Sequence, residues 1–152
     1  MLTHSEFIYV KRVPGKGRGV FARQAIPEGT VIERVPVLLV ELFRVTGPTP
    51  VPELARVCFL RNRKYAALAL GYGSLYNHSY RPNAKYEDGD NVTMVFRSLR
   101  DIAREEEITI NYNGDPAGRG AVPFEVVDHV ANHSRTTLPA TSVRRKSRPS
   151  KR

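Results

Sequence analysis

"GYGSLYNHSYRPNAKY" occupies residues 71–86 and follows a small apolar run, Ala-Leu-Ala-Leu, at residues 67–70. The apolar run can be buried. The stretch after it is dense in polar side chains, Asn77, His78, Ser79 and Asn83 among them, and each needs a partner if it is buried too. A segment built this way is either an elaborate turn or a site, and the chain on both sides of it favours a site.

Outward from that stretch, β signals dominate. Residues 6–10, "EFIYV", read as a short strand, followed by the turn-rich "KRVPGKGRG" of residues 11–19. "VFARQAIPEGTVIERVPVLLVEL", residues 20–42, reads as strand, turn at Pro27, Glu28 and Gly29, then more strand, with many β-branched side chains. Residues 45–53 carry three prolines and read as a loop. From Leu54 to Leu70 helix and buried strand fit equally well, because residues 67–70 show no polar face. "AKYEDGDNVTMVFRSL", residues 84–99, reads as a hairpin turning at residues 88–91. Residues 105–114, "EEEITINYNG", supply a strand, and "FEVV" at residues 124–127 offers a last short one. The sum is a mainly β domain of many short strands with little helix.

Composition sets the outer bounds. The chain has 152 residues, enough for one domain with a tail, and 41% are apolar. No stretch approaches the ~18 uncharged apolar residues of a membrane span. The N-terminal residues lack the layout of a signal peptide, and the lone Cys58 leaves no internal disulfide or cysteine-rich zinc site. The expectation is an intracellular protein, in cytoplasm, nucleoid or nucleus. The net charge of +9 is uneven: residues 128–152 carry +6 and residues 1–127 only +3. We therefore divide the chain into a domain over residues 1–127 and a basic tail over 128–152. The tail has too little apolar surface to offset its ordering entropy and is expected to be disordered. Such a tail contacts nucleic acid or acidic surfaces, or only solubilises.

Single motifs decide little. "GKGRG" at residues 15–19 lacks a phosphate-loop ending, although glycines there let the backbone approach a ligand closely. The sequons at Asn77, Asn91 and Asn132 read as incidental without a secretion signal. His129 and His133 have helical ligand spacing but no third ligand, so no metal is expected. Ser74 stands in no nucleophile elbow. Acidic groups at Glu87, Asp88 and Asp90, and at Glu105, Glu106 and Glu107, either steer a basic peptide or are ordinary solvated turns. Tyr112 at a strand end gains weight only from the order "GKGRGVFA", "GYGSLYNHSYRPNA", "EEEITINY".

That ordered triple, spanning residues 7–113, resembles the SET-domain protein lysine methyltransferases. The resemblance is to the compact viral and bacterial type without a post-SET zinc module. Gly17-Arg18-Gly19 matches the family's first motif, Asn77 through Asn83 its Asn-His-Ser-x-x-Pro-Asn, and Glu106 through Tyr112 its Glu-Glu-Ile-Thr-x-x-Tyr. The resemblance implies a β-clip-like fold of several small sheets whose C-terminal strand makes a knot-like crossing. It implies S-adenosylmethionine as cofactor, held by the backbone around Lys16, Gly17 and Arg18, by Asn77 and His78, and by Tyr112, the catalytic tyrosine. Tyr72 and Tyr76 become candidate walls of a lysine channel and Phe124 a candidate lid over the adenine. The implied substrate is a basic protein, histone-like, nucleoid or ribosomal, with Lys146 and Lys151 of the tail as acceptors in their own right. A homodimer completing the site is also implied.

The implied chemistry needs a neutral lysine amine, which costs roughly 4–5 kcal/mol at pH 7 from a pKa near ~10.4. Burial and an adjacent positive charge both lower that pKa, so no strong base is required. The chain departs from the family pattern at Glu105, where relatives carry glycine, and at Cys58, where compact members carry an aromatic. If position 105 needs a positive φ, glutamate is strained there. Two other readings remain at this point: a SET-like binding module without turnover, and a small nucleic-acid-associated protein acting through its tail.

Overall fold

The β-branched runs do form strands, 41% of the described residues against 11% helix. The computed structural model describes residues 5–90 and 92–127. The basic tail lies outside the described residues, with His129, His133, Asn132, Lys146 and Lys151, and so does Asn91. Strands β1 (Ile8–Val13) and β2 (Gly17–Ala22) form a hairpin paired from Ile8↔Ala22 to Val13↔Gly17. The turn-rich reading of residues 11–19 therefore shrinks to the three residues between the strands. Gly15 and Gly17, at φ +76° and +84°, make that tight reversal possible.

The long strand β3 (Val31–Glu41) belongs to two pairings. Its first half pairs with β8 (Thr93–Ser98) and its second with β5 (Tyr65–Ala69). Pro36, with no N–H to donate, stands where one partner ends and the other begins. With β4 (Cys58–Leu60) and β7 (Ala84–Asp88) at its edges, this sheet runs β4-β5-β3-β8-β7. The ambiguity over residues 54–70 thus resolves to strand over residues 58–60 and 65–69 and to helix over 54–57. Ala66, Ala67 and Ala69 are all buried, so a polar face was never available to show. The proline-rich loop is shorter than read, because Val45 and Thr46 end helix α1 (Phe43–Thr46) and Pro52 opens α2 (Pro52–Val57). Proline suits that first helical position, where no N–H is wanted. "FEVV" forms no strand and runs as irregular chain.

The second sheet has the order β1-β2-β9-β6, with β9 (Glu107–Ile110) and the two-residue β6 (Asn77–His78). Strand β9 lies between β2, which it pairs antiparallel, and β6, which it pairs in parallel. A late strand thus inserts between two earlier ones at the expected crossing. Ile108 and Ile110 are fully buried beside Val20, Ile26, Tyr76 and Phe96 in the core that both sheets share. Asn83 locks the insertion. Only 2% exposed, it donates to the Glu107 carbonyl (2.8 Å) and to Glu106 Oε1 (3.0 Å), and accepts from the Thr109 amide (2.9 Å). Ser79 follows suit, its amide donating to the Ile110 carbonyl at 2.9 Å. Asn77, Ser79 and Asn83 of the opening stretch thus find partners in β9, and His78 finds one just beyond it in the Tyr112 amide. Among the described residues no helix is long and apolar enough to cross a membrane.

Just before β9, Glu105 is held at φ +65°, the one non-glycine with positive φ among the described residues. Its carboxylate accepts from the exposed Tyr9 hydroxyl and lies 3.9 Å from Lys11. Left-handed backbone costs an L-residue about 1–2 kcal/mol, more than those solvent-screened contacts return. Glu105→Gly is expected to raise unfolding stability by about 0.5 to 1 kcal/mol, read by denaturant melts; a loss of stability would show that the Tyr9 contact outweighs the strain.

Candidate active site

The parallel register Asn77↔Thr109 and His78↔Ile110 and the antiparallel register Phe21↔Glu107 bring three distant segments together. Asn77 Nδ2 donates to the Arg18 carbonyl (3.0 Å) and to Glu107 Oε1 (2.7 Å). Lys16 Nζ donates to Glu107 Oε2 at 3.0 Å, with the two side chains only 9% and 13% exposed. Gly19 is what lets the group fit. A Cβ there would lie 2.8 Å from Asn77 Nδ2, 2.8 Å from Glu107 Oε1 and 2.9 Å from Val13 Cγ2.

Beyond β9 the chain turns past the same corner. The Tyr112 amide donates to His78 Nδ1 (3.0 Å), and the Tyr112 hydroxyl donates to the Tyr76 carbonyl (2.7 Å). Both bonds fix the phenol from two directions. Its hydrogen is spent on Tyr76, so toward any further group the oxygen can only accept. Desolvation first, and the charge of Glu107 second, push the Tyr112 pKa up to about 12. The ring nonetheless keeps 39% of its surface exposed. The His78, Tyr112 and Phe124 rings meet edge to face or tilted, with centroids 5.2 to 6.1 Å apart.

These groups open on a cavity of about 950 Å³. Lys16, Asn77, His78, Tyr112 and Phe124 all line it. Gly17 and Arg18 do not; Arg18 contributes its carbonyl to Asn77 from behind. Tyr72 lies outside the lining and packs on the core. Tyr76 is 1% exposed, its ring stacked on Phe96 (4.4 Å, 19°) and its hydroxyl donating to Glu33 Oε2 at 3.0 Å. Its aromatic ring belongs to the core and its carbonyl to the site.

Phe59 and Tyr86, an edge-on pair at 4.7 Å, add further aromatic lining to the cavity. Nothing in the motif pointed to them; the only signal was an aromatic three residues after Asn83. Cys58 is part of the same wall, and burial pushes its thiol pKa up, which suits packing rather than nucleophilic work. Asp88, Asp90 and Glu105 stay exposed, while the other acids of the two clusters are partnered. Glu106 accepts from Arg100 (2.6 Å), Asn83 and the Ala103 amide, Glu107 is held as above, and Glu87 pairs with Lys85 and Arg97.

Residues 17–113 match the sequence profile of the SET domain. The chain is 36% identical over 98 residues to the "Histone-lysine N-methyltransferase, H3 lysine-37 specific" of Schizosaccharomyces pombe, covering 64% of this chain and 67% of that protein. It also resembles the crystal structure of a Plasmodium falciparum protein assigned as a histone methyltransferase. There the TM-score is 0.59 and the identity 29%, over 73% of this chain and 95% of that one.

Proposed function

The chain belongs to the SET-domain family, and we propose that it is a protein-lysine N-methyltransferase taking its methyl group from S-adenosylmethionine. The acceptor in this reading is the ε-amine of a lysine in a basic, histone-like protein. One observation carries it. Tyr112, its hydroxyl anchored on the Tyr76 carbonyl, lines a cavity shared with Asn77, His78 and Phe124.

The residues present fit the cofactor on several counts. Gly19 leaves room for the Asn77–Glu107 pair, Asn77 and Lys16 offer polar atoms to the cavity, and the His78 and Phe124 rings, edge to face, offer aromatic surface. When bound, S-adenosylmethionine supplies an electrophilic methyl group on a positively charged sulfur. This chain supplies alignment. Phe59 and Tyr86 exclude water from one wall, which favours the neutral amine over the ammonium. The Tyr112 oxygen accepts a hydrogen bond from an incoming amine and orients its lone pair. A neutral phenol with a pKa of about 12 is no base, so the acceptor's proton leaves to water before transfer.

The test is methyl transfer from labelled cofactor to whole-cell protein by the full chain and by a chain ending at Val127. The expected result is label on basic proteins with both chains. Cofactor binding without transfer would make the chain a binding module. Salt-sensitive nucleic-acid binding that vanishes with residues 128–152, without any cofactor binding, would favour the tail-driven reading instead.

A further inference from the structure

Glu107 reads in the sequence as one of three consecutive surface acids. In the fold it is largely buried and does not line the cavity, yet it holds two residues that do. The Asn77 amide has one workable orientation. Its nitrogen faces two acceptors, the Arg18 carbonyl at 3.0 Å and Glu107 Oε1 at 2.7 Å, so turning the amide over would set oxygen against oxygen twice. Oδ1 is thereby aimed away from both, on a residue of the cavity wall. The other Glu107 oxygen holds Lys16 Nζ at 3.0 Å, in the same wall. The acid thus sets out an acceptor and a cation side by side.

We infer that Glu107 is a positioning residue. It presents Asn77 Oδ1 and Lys16 Nζ to the ammonium and carboxylate of a zwitterionic α-amino-acid group, and so makes the site selective for ligands that carry one. This rests on the cofactor reading above and adds to it a residue and a selectivity. Lys16 and Asn77 are contact residues; Glu107 holds both without lining the cavity. Its loss removes one of the two acceptors that fix the amide and leaves Lys16 without its partner, while the contacts among His78, Tyr112 and Phe124 do not involve it.

Two nucleosides separate this role from a general structural one. S-adenosylhomocysteine carries the amino-acid group and 5′-methylthioadenosine lacks it. Calorimetry on the full chain should show the first binding more tightly to the unchanged protein. In Glu107→Ala that preference should shrink about ten- to hundredfold, the worth of hydrogen bonds to charged groups, with 5′-methylthioadenosine binding unchanged. The isosteric Glu107→Gln should lose the preference in the same direction, and serves where the alanine variant does not fold. An undiminished preference in a folded variant overturns the inference and leaves the cofactor reading intact. Loss of both ligands in both variants shows a merely structural acid and also overturns it. An unchanged protein that binds neither nucleoside overturns the cofactor reading itself.

Discussion

Tyr112→Phe, which deletes one oxygen, is expected to cut methyl transfer about 10²–10³-fold, the usual effect of removing one preorganised polar group from a reacting centre. Cofactor affinity should stay within about threefold, because the ring survives to meet His78 and Phe124. What disappears is the hydroxyl anchored 2.7 Å from the Tyr76 carbonyl, and with it the acceptor that orients an amine. Calorimetry and initial rates on the same preparation decide the matter. Equal losses in binding and turnover would place the hydroxyl in ground-state binding and contradict its assigned role.

The pH profile gives a second reading of the same residue. With the phenol pKa raised to about 12, Tyr112 keeps its proton throughout the working range. The wild-type rate should therefore climb with pH as the acceptor lysine deprotonates, with no descending limb from Tyr112 below about pH 11. A fall near pH 10 that vanishes in the phenylalanine variant would show the phenol ionising much earlier.

The second large effect is expected at Gly19. Its backbone needs no glycine for conformational reasons, since its φ is not positive. Space alone forbids a side chain. An alanine Cβ would stand within 2.9 Å of Asn77, Glu107 and Val13, and Asn77 and Glu107 are tied to each other and to Arg18 and Lys16. Gly19→Ala should destabilise the fold by about 1–3 kcal/mol, as overpacking does, and abolish measurable cofactor binding by prising Asn77 from its place. Gly29→Ala is the matched control. It is strained by φ +78° but meets nothing within 4 Å, so it should cost about 1–2 kcal/mol and leave binding alone. Normal binding in a folded Gly19→Ala protein would mean that the Asn77–Glu107 pair is not part of the site.

Much of this was legible because it is local. Strand β9 and the hairpin of β7 and β8 follow from alternation and turn residues within a few positions. The strain at Glu105 was readable from a glutamate where relatives have glycine, since only glycine adopts that conformation freely. The partners demanded by Asn83 were predictable in kind, because a buried amide must find them, but not in identity. Tyr76 shows where such reading fails. A tyrosine inside a site-like motif was a reasonable channel wall, yet its ring fills the core against Phe96 and its hydroxyl finds Glu33, 43 residues away.

By itself, then, the order of residues determined the strands, the tight glycine turns and the family, because each rests on backbone preference or on spacing along the chain. Only the folded chain decided that Glu107 turns inward to Asn77 and Lys16, that Phe59 and Tyr86 line the cavity while the Tyr76 ring goes to the core, and that Glu87 and Glu106 find cationic partners. The physical reason lies in the placement of β9 between β2 and β6. That insertion makes neighbours of side chains 30 and 91 residues apart, and no local pattern encodes which face meets which.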